Sequence, residues 1–209
     1  MKRTILQCII LTCLASVAFA QNEKDAVKKC FDNYKKSILE GQGKEAIKYV
    51  DRKTTDYYDK ELNLALTGDS STIDELGLLD KLTVLIARHR IPKKDLLQMT
   101  GKTFFIYAVD NGMIGKNSVI TIQIGDVNVE GNFANGQMVS NGQKTPLYFQ
   151  FNKEDNEWKV DLTSIFPQSN MALNQMLLDQ GLTHNQFIFQ TLESLTGRKV
   201  TGDIWKPLK

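Results

Sequence analysis

The spacing of apolar residues changes once along this chain, and that change limits the fold more than any other feature of its 209 residues. From Val27 to about Met99 apolar side chains recur at three- and four-residue intervals, the period of a helix with one buried face. After Gly101 the period changes, and from Ser118 to Leu162 it is mostly two, as in a half-buried strand. Helices followed by a meander of strands form the α+β layer pattern.

Glu23 to Glu40 is expected as an amphipathic helix with Val27, Cys30, Phe31, Tyr34 and Ile38 on its inner face, ended by Gly41-Gln42-Gly43. A short helix follows from Lys44 to Asp51, with Ala46, Ile47 and Val50 inward. Thr54 or Thr55 is expected to cap a third helix that presents Tyr58, Leu62, Ala65 and Leu66 and stops at Gly68. Past Asp69, one helix is expected to run to Arg88-His89-Arg90. Ser71 and Asp74, or Thr72 and Glu75, sit at capping-box spacing, and Ile73, Leu76, Leu79, Leu82, Leu85 and Ile86 form its stripe. Pro92 starts a short helix reaching about Met99, and Thr103 to Val109 reads as helix or strand.

Ile120, Ile122 and Ile124 share one face of the first strand, whereas Val127 and Val129 continue on odd numbers. That slip at Gly125-Asp126 predicts a β-bulge, which bends a sheet. Strands over 132–140, 146–152 and 157–162 complete the meander, with Trp158, Val160 and Leu162 inward and Asp161 outward. Two helices close the chain. Met171, Leu173, Met176 and Leu177 mark the first; the second is capped by Thr183 with Gln186 at capping-box distance, and Gly197 ends it. The tail from Gly202 to Leu208 is too apolar to hang free, so Trp205 is expected to dock on the body.

Residues 1–20 read as a secretory signal peptide: Lys2 and Arg3, an apolar run too short to span a bilayer, and Ala18-Phe19-Ala20 as the cleavage site before Gln21. A lipoprotein reading would place lipid on Cys13, but Thr12 before it is larger than such sites usually accept. Lys2 and Arg3 are two of the 26 basic residues, and the leader holds none of the 24 acidic ones, so the remaining chain balances at 24 of each. No basic tract is left to bind nucleic acid, and no later apolar stretch is long enough for a transmembrane anchor. Cys8 and Cys13 leave with the leader. Cys30, alone and on an apolar helix face, is expected to be buried.

The long opening helix, the helix start Thr54-Thr55-Asp56-Tyr57-Tyr58 and the strand ending Glu157-Trp158-Lys159-Val160-Asp161-Leu162 resemble the nuclear-transport-factor-like superfamily, also called ketosteroid-isomerase-like or SnoaL-like. The resemblance implies a cystatin-like roll over residues 21–166, with N-terminal helices in the concavity of a bent antiparallel sheet. Residues 167–209 would then be a C-terminal helical extension. The superfamily includes isomerases, hydratases, ligand carriers and adaptors, so the fold settles no function.

Motif chemistry is sparse. His89 and His184 lie far apart in sequence, no metal-ligand spacing appears, and neither a phosphate loop, a dinucleotide fingerprint nor a nucleophile elbow is present. No metal or cofactor and no catalytic set is therefore expected. Tyr57, Tyr58 and Tyr107 are available donors and Asp110 and Asp161 available bases, but the isomerases' tyrosine-plus-two-aspartates set does not map onto this chain. Arg88 and Arg90 read as a solvated helix end, or as a clamp for an anionic head group. Tyr58, Leu62, Leu82, Phe105, Tyr107 and Trp158 are expected to line an apolar hollow. The expected function is an exported, periplasmic or extracellular, non-enzymatic protein that binds a small apolar ligand or another exported protein. The alternatives are an isomerase or hydratase using a Tyr/Asp pair, and a periplasmic lipid carrier.

Overall fold

The computed structural model describes residues 2–209, with side chains from Gln21 onward. The expected leader, its cleavage site, Cys8 and Cys13 lie outside the residues whose side chains are described. The fold is α+β. Helices α1 (Lys2–Glu40), α2 (Gly43–Ala46), α3 (Arg52–Thr67), α4 (Ser70–Asp74), α5 (Leu78–Arg90), α6 (Lys93–Leu96) and α7 (Gly101–Asp110) come first. Strands β1 (Ile122–Glu130), β2 (Phe133–Ser140), β3 (Gln143–Glu154) and β4 (Glu157–Asp161) follow, and α8 (Phe166–Gln180) and α9 (His184–Thr196) close the chain. The strands form one antiparallel sheet in the order β1-β2-β3-β4. No helix among the described residues is long and apolar enough to cross a membrane.

Two compact units share the chain. Met1–Asp51 with Asn111–Leu162 makes a sheet unit, and Arg52–Asp110 with Thr163–Lys209 makes a helical unit.

In the sheet unit α1 packs on β1 and β4. Its expected inner face is its buried face: Val27, Cys30, Phe31, Tyr34 and Ile38 are all in the core, and the Phe31 ring lies 5.0 Å from that of Phe149. Burying such side chains stabilises the unit by about 1.5–3 kcal/mol each. The bulge falls where the phase slip places it, between Ile124 and Val127. Gly125 suits it, because a Cβ there would come within 2.9 Å of Val139 Cγ2. A second irregularity, between Gln137 and Val139, left no trace in the periodicity.

Two strand expectations need correction. The first strand begins at Ile122 rather than Ser118, and Ile120 is 55% exposed. Lys35 Nζ on α1 takes the carbonyl oxygens of Ile120 and Ile122, at 3.0 and 2.8 Å. Asp161, expected to face outward, is only 1% exposed. β4 ends there and the chain turns into a short 3₁₀ segment (Leu162–Ile165), so strand alternation no longer separates inside from outside. Alongside, Val50 bridges Val160 in parallel, and the Asp51 N–H donates to the Val160 carbonyl at 3.1 Å.

In the helical unit α3 starts at Arg52, ahead of the expected cap; Thr54 is buried, and Thr55 Oγ1 donates back to the Arg52 carbonyl at 2.8 Å. The single helix expected after Asp69 is two. Asp69, rather than Ser71 or Thr72, caps α4 by accepting the Thr72 N–H at 2.9 Å, and a new helix begins after Gly77. Lys81 closes the corner by donating to both the Asp74 carbonyl and its carboxylate, at 2.8 and 2.9 Å. With that break, Leu78, Val84, Leu85, Ile86 and Ala87 are the buried apolar residues of α5, whereas Leu76, Leu79 and Leu82 are half-buried.

The ambiguous segment 103–109 is helical, and Phe104 and Phe105 sit in its core. α9 carries the expected capping box of Thr183 and Gln186 and ends at Gly197 in a left-handed conformation. The tail docks as its composition predicts: the Leu208 N–H donates to the Leu66 carbonyl at 2.8 Å, and the Trp205 ring lies 6.0 Å from that of Phe189.

Candidate functional site

Of the six residues expected to line one hollow, five lie in the helical unit. Tyr58, Leu62 and Phe105 are buried there, and the Tyr58 ring meets Phe105 edge-on at 5.2 Å. Leu82 and Tyr107 are half-buried. Trp158 belongs to the sheet unit, where its indole Nε1 donates to Glu23 at 2.8 Å. Glu23 also takes Lys153 Nζ at 2.9 Å, and that ammonium stands 5.5 Å from the centre of the Trp158 ring. The Lys153 and Trp158 hydrogen bonds hold the Glu23 carboxyl below its usual range. A pocket of about 260 Å³ opens beside this cluster and includes Lys29, Cys30 and Lys159 on its walls. Its cations are largely engaged, Lys153 by Glu23 and Lys159 by Glu157 and the Lys48 carbonyl.

The helical unit holds a larger pocket, about 480 Å³, lined by Ser70, Ser71, Asp74, Asn185, Phe189 and Trp205. Three separate stretches build it: α4, the start of α9, and the 3₁₀ turn Gly202–Trp205 of the tail. The Phe189 and Trp205 rings are tilted by 54° and form an aromatic corner. Around it are two hydroxyls, a carboxylate and the Asn185 amide, whose side-chain oxygen is buried without a hydrogen-bond partner. The tail is held by Arg88, which donates to the Ile204 carbonyl at 3.0 Å and to the Ala65, Leu64 and Gly68 carbonyls at the end of α3. Arg88 is therefore neither a solvated terminus nor a head-group clamp; it ties the carbonyls at the end of α3 to the tail.

A third cluster joins α3 to α5. Tyr57 Oη donates to Asp80 at 3.0 Å, and Lys60 Nζ stands 3.6 Å from both Asp80 and Glu61. Neither oxygen of the buried Glu61 has a hydrogen-bond partner. Burial, then the Asp80 charge, pushes its carboxyl up to about 8, with Lys60 pulling the other way. Burial and the same carboxylates raise the Tyr57 phenol. A carboxyl kept protonated beside a tyrosine is an arrangement suited to moving a proton, although neither pocket described above is lined by these residues.

The histidines are engaged locally: His89 Nε2 meets Thr196 Oγ1 at 2.9 Å, and His184 Nε2 meets Asn174 Oδ1 at 2.7 Å. Among the described residues no three His, Cys, Asp or Glu side chains are grouped to hold a metal ion.

Sequence reasoning missed the larger pocket. Ser71 and Asp74 read as capping residues, and Trp205 as an anchoring side chain. The one usable signal was a tryptophan in a short tail bounded by glycine and proline. Glu61 was missed as well; its signal is its position three residues past Tyr58, on the inward face of α3. The chain matches no protein-family model, no curated protein and no solved structure.

Proposed function

We propose that this chain is an exported, non-enzymatic protein that holds a small ligand in the Phe189–Trp205 pocket. The observation that carries the reading is the pocket itself. Its 480 Å³ is within the span of small-molecule sites, and its aromatic walls stand beside a buried amide oxygen that lacks a partner. The wall chemistry, two hydroxyls and a carboxylate beside two aromatic rings, suits an amphipathic ligand. Export is supported by the basic start, the short apolar run and the Ala18-Phe19-Ala20 site.

Native mass spectrometry of protein purified from its own host tests the reading. A retained small molecule is expected in the wild type and should be lost in Trp205→Ala. Retention by the variant places the site elsewhere, and release of a chemically altered product overturns the non-enzymatic reading.

A second reading is favoured by the Tyr57–Asp80 hydrogen bond beside the buried Glu61: an isomerase or hydratase. Such an enzyme loses turnover in Tyr57→Phe and Glu61→Gln while ligand capture at Trp205 stays intact.

A further inference from the structure

We infer that Gln21 is a modification site: in the exported chain its side chain closes on its own newly freed amine and leaves a pyroglutamyl residue at position 21. This inference rests on the export reading above and not on the pocket.

The chemistry follows from which residue cleavage exposes. While the leader is attached, the Gln21 nitrogen is a peptide amide whose lone pair is held in resonance, and it cannot attack a carbonyl. Cleavage after Ala20 turns that nitrogen into an amine. A glutamine side chain then brings its Cδ onto the amine in an unstrained five-membered ring, with both reacting groups on one residue. Asparagine is one carbon too short for such a ring, so a cut one residue later, before Asn22, would not permit it. In the step the α-nitrogen bonds to Cδ and the Cδ–Nε2 bond breaks. Nε2 leaves as ammonia, taking one proton from the amine. No oxidant, water or cofactor is consumed.

The structure leaves this residue open to the change and fixes what lies behind it. Gln21 and Asn22 are exposed. Gln21 Nε2 donates to Asp25 at 2.8 Å on the solvent side of α1, and a helix-surface pair of that spacing is weak enough to release the side chain. Glu23 is held differently. Its side chain is 14% exposed and accepts from Lys153 at 2.9 Å and from the Trp158 indole at 2.8 Å. The reactive residue therefore stands outside the body, two positions ahead of a side chain pinned to the sheet.

Ring closure changes two properties of that end. A free ammonium at position 21 would sit at the start of the remaining helix, where the macrodipole is already positive; the lactam removes the charge. An aminopeptidase needs a free amine. It would take Gln21 and Asn22 and then reach Glu23, whose loss leaves Lys153 and the Trp158 indole without their carboxylate. The lactam closes that route.

Tandem mass spectrometry of the N-terminal peptide, from the chain exported by its own host with its leader intact, tests this. We expect a peptide that begins at position 21 and is lighter by one ammonia. A synthetic peptide of residues 21–40 carried through the same handling should keep its amine; closure there to the same extent overturns the inference, because handling alone then makes the ring. A start at position 21 with an unmodified glutamine overturns the lactam and leaves the export reading standing. A start elsewhere, or lipid on Cys13, overturns the cleavage site and the lactam with it. Incubation with a broad-specificity aminopeptidase tests the protection. The wild type should stay at full mass, whereas Gln21→Ala, which keeps its amine, should lose residue 21 and then Asn22. Equal trimming of the two chains overturns the protective role.

Discussion

Glu61 is fully buried with neither carboxylate oxygen hydrogen-bonded, an expensive position for a charge. Its carboxyl is raised from 4.5 to about 8, chiefly by burial, so the folded chain keeps a proton that the unfolded chain releases. The contribution of this group to stability is greatest below about pH 4.5, declines as the pH rises and levels off above about 8. The limiting slope is about 1.4 kcal/mol per pH unit. Glu61→Met, similar in length and without oxygens, should flatten this fall. It should also raise stability at pH 8 by about 2–4 kcal/mol relative to the wild type. Urea denaturation at pH 5 and pH 8 measures it; an unchanged pH dependence would mean that water reaches Glu61. Cys30 makes the opposite case, a group kept inert by its surroundings: burial lifts its thiol to about 12. Under native conditions a thiol reagent should label it far more slowly than in denaturant. Both placements follow from helical spacing, because each residue falls in register with a stripe of apolar neighbours. The partner that loads Glu61 further, Asp80, comes from another helix, and spacing within α3 cannot reveal it.

At the scale of elements, α7 reaches α3 through a glycine. The Gly101 N–H donates to the Asp59 carboxylate, and a Cβ at Gly101 would stand 2.5 Å from the Thr55 carbonyl oxygen. Gly101→Ala should therefore push the two helices apart and cost about 1–3 kcal/mol, a change that thermal unfolding would register; an unaltered melting temperature would mean that α7 yields without loss. Where an element is set by chemistry local in sequence, it could be read in advance. The Thr183–Gln186 box, the Gly197 stop and the Gly125 bulge are of this kind. The break between α4 and α5 could not, because apolar spacing continues across Gly77 while the corner is closed by Lys81 reaching seven residues back to Asp74. The late start of β1 has a similar origin, since Lys35 occupies its first carbonyls from a helix more than eighty residues earlier.

For the whole molecule, reading along the chain gave the order of layers but not the grouping of segments. Each unit is assembled from two stretches, and the aromatic pocket draws on residues near 70, 185 and 205, which no short pattern connects. Trp158→Ala should cost about 3–5 kcal/mol, because it empties a buried site and leaves Glu23 without its indole donor. A smaller loss by calorimetry would show that the site collapses to fill itself. N-terminal sequencing of the exported chain is expected to start at Gln21, which leaves Glu23 in place beneath Lys153 and Trp158; a lipid on Cys13 would overturn that start. The interleaving also has a consequence in time. The stripe from Val27 to Ile38 is made early, but β1 does not begin until residue 122 and β4 ends at residue 161 of 209. At about 5–20 residues per second, the ribosome leaves that stripe without its complete sheet for roughly 6–25 seconds. Throughout that interval the nascent chain is an oily helix awaiting partners not yet translated, and the order of its segments acts as a clock on when the sheet unit can close.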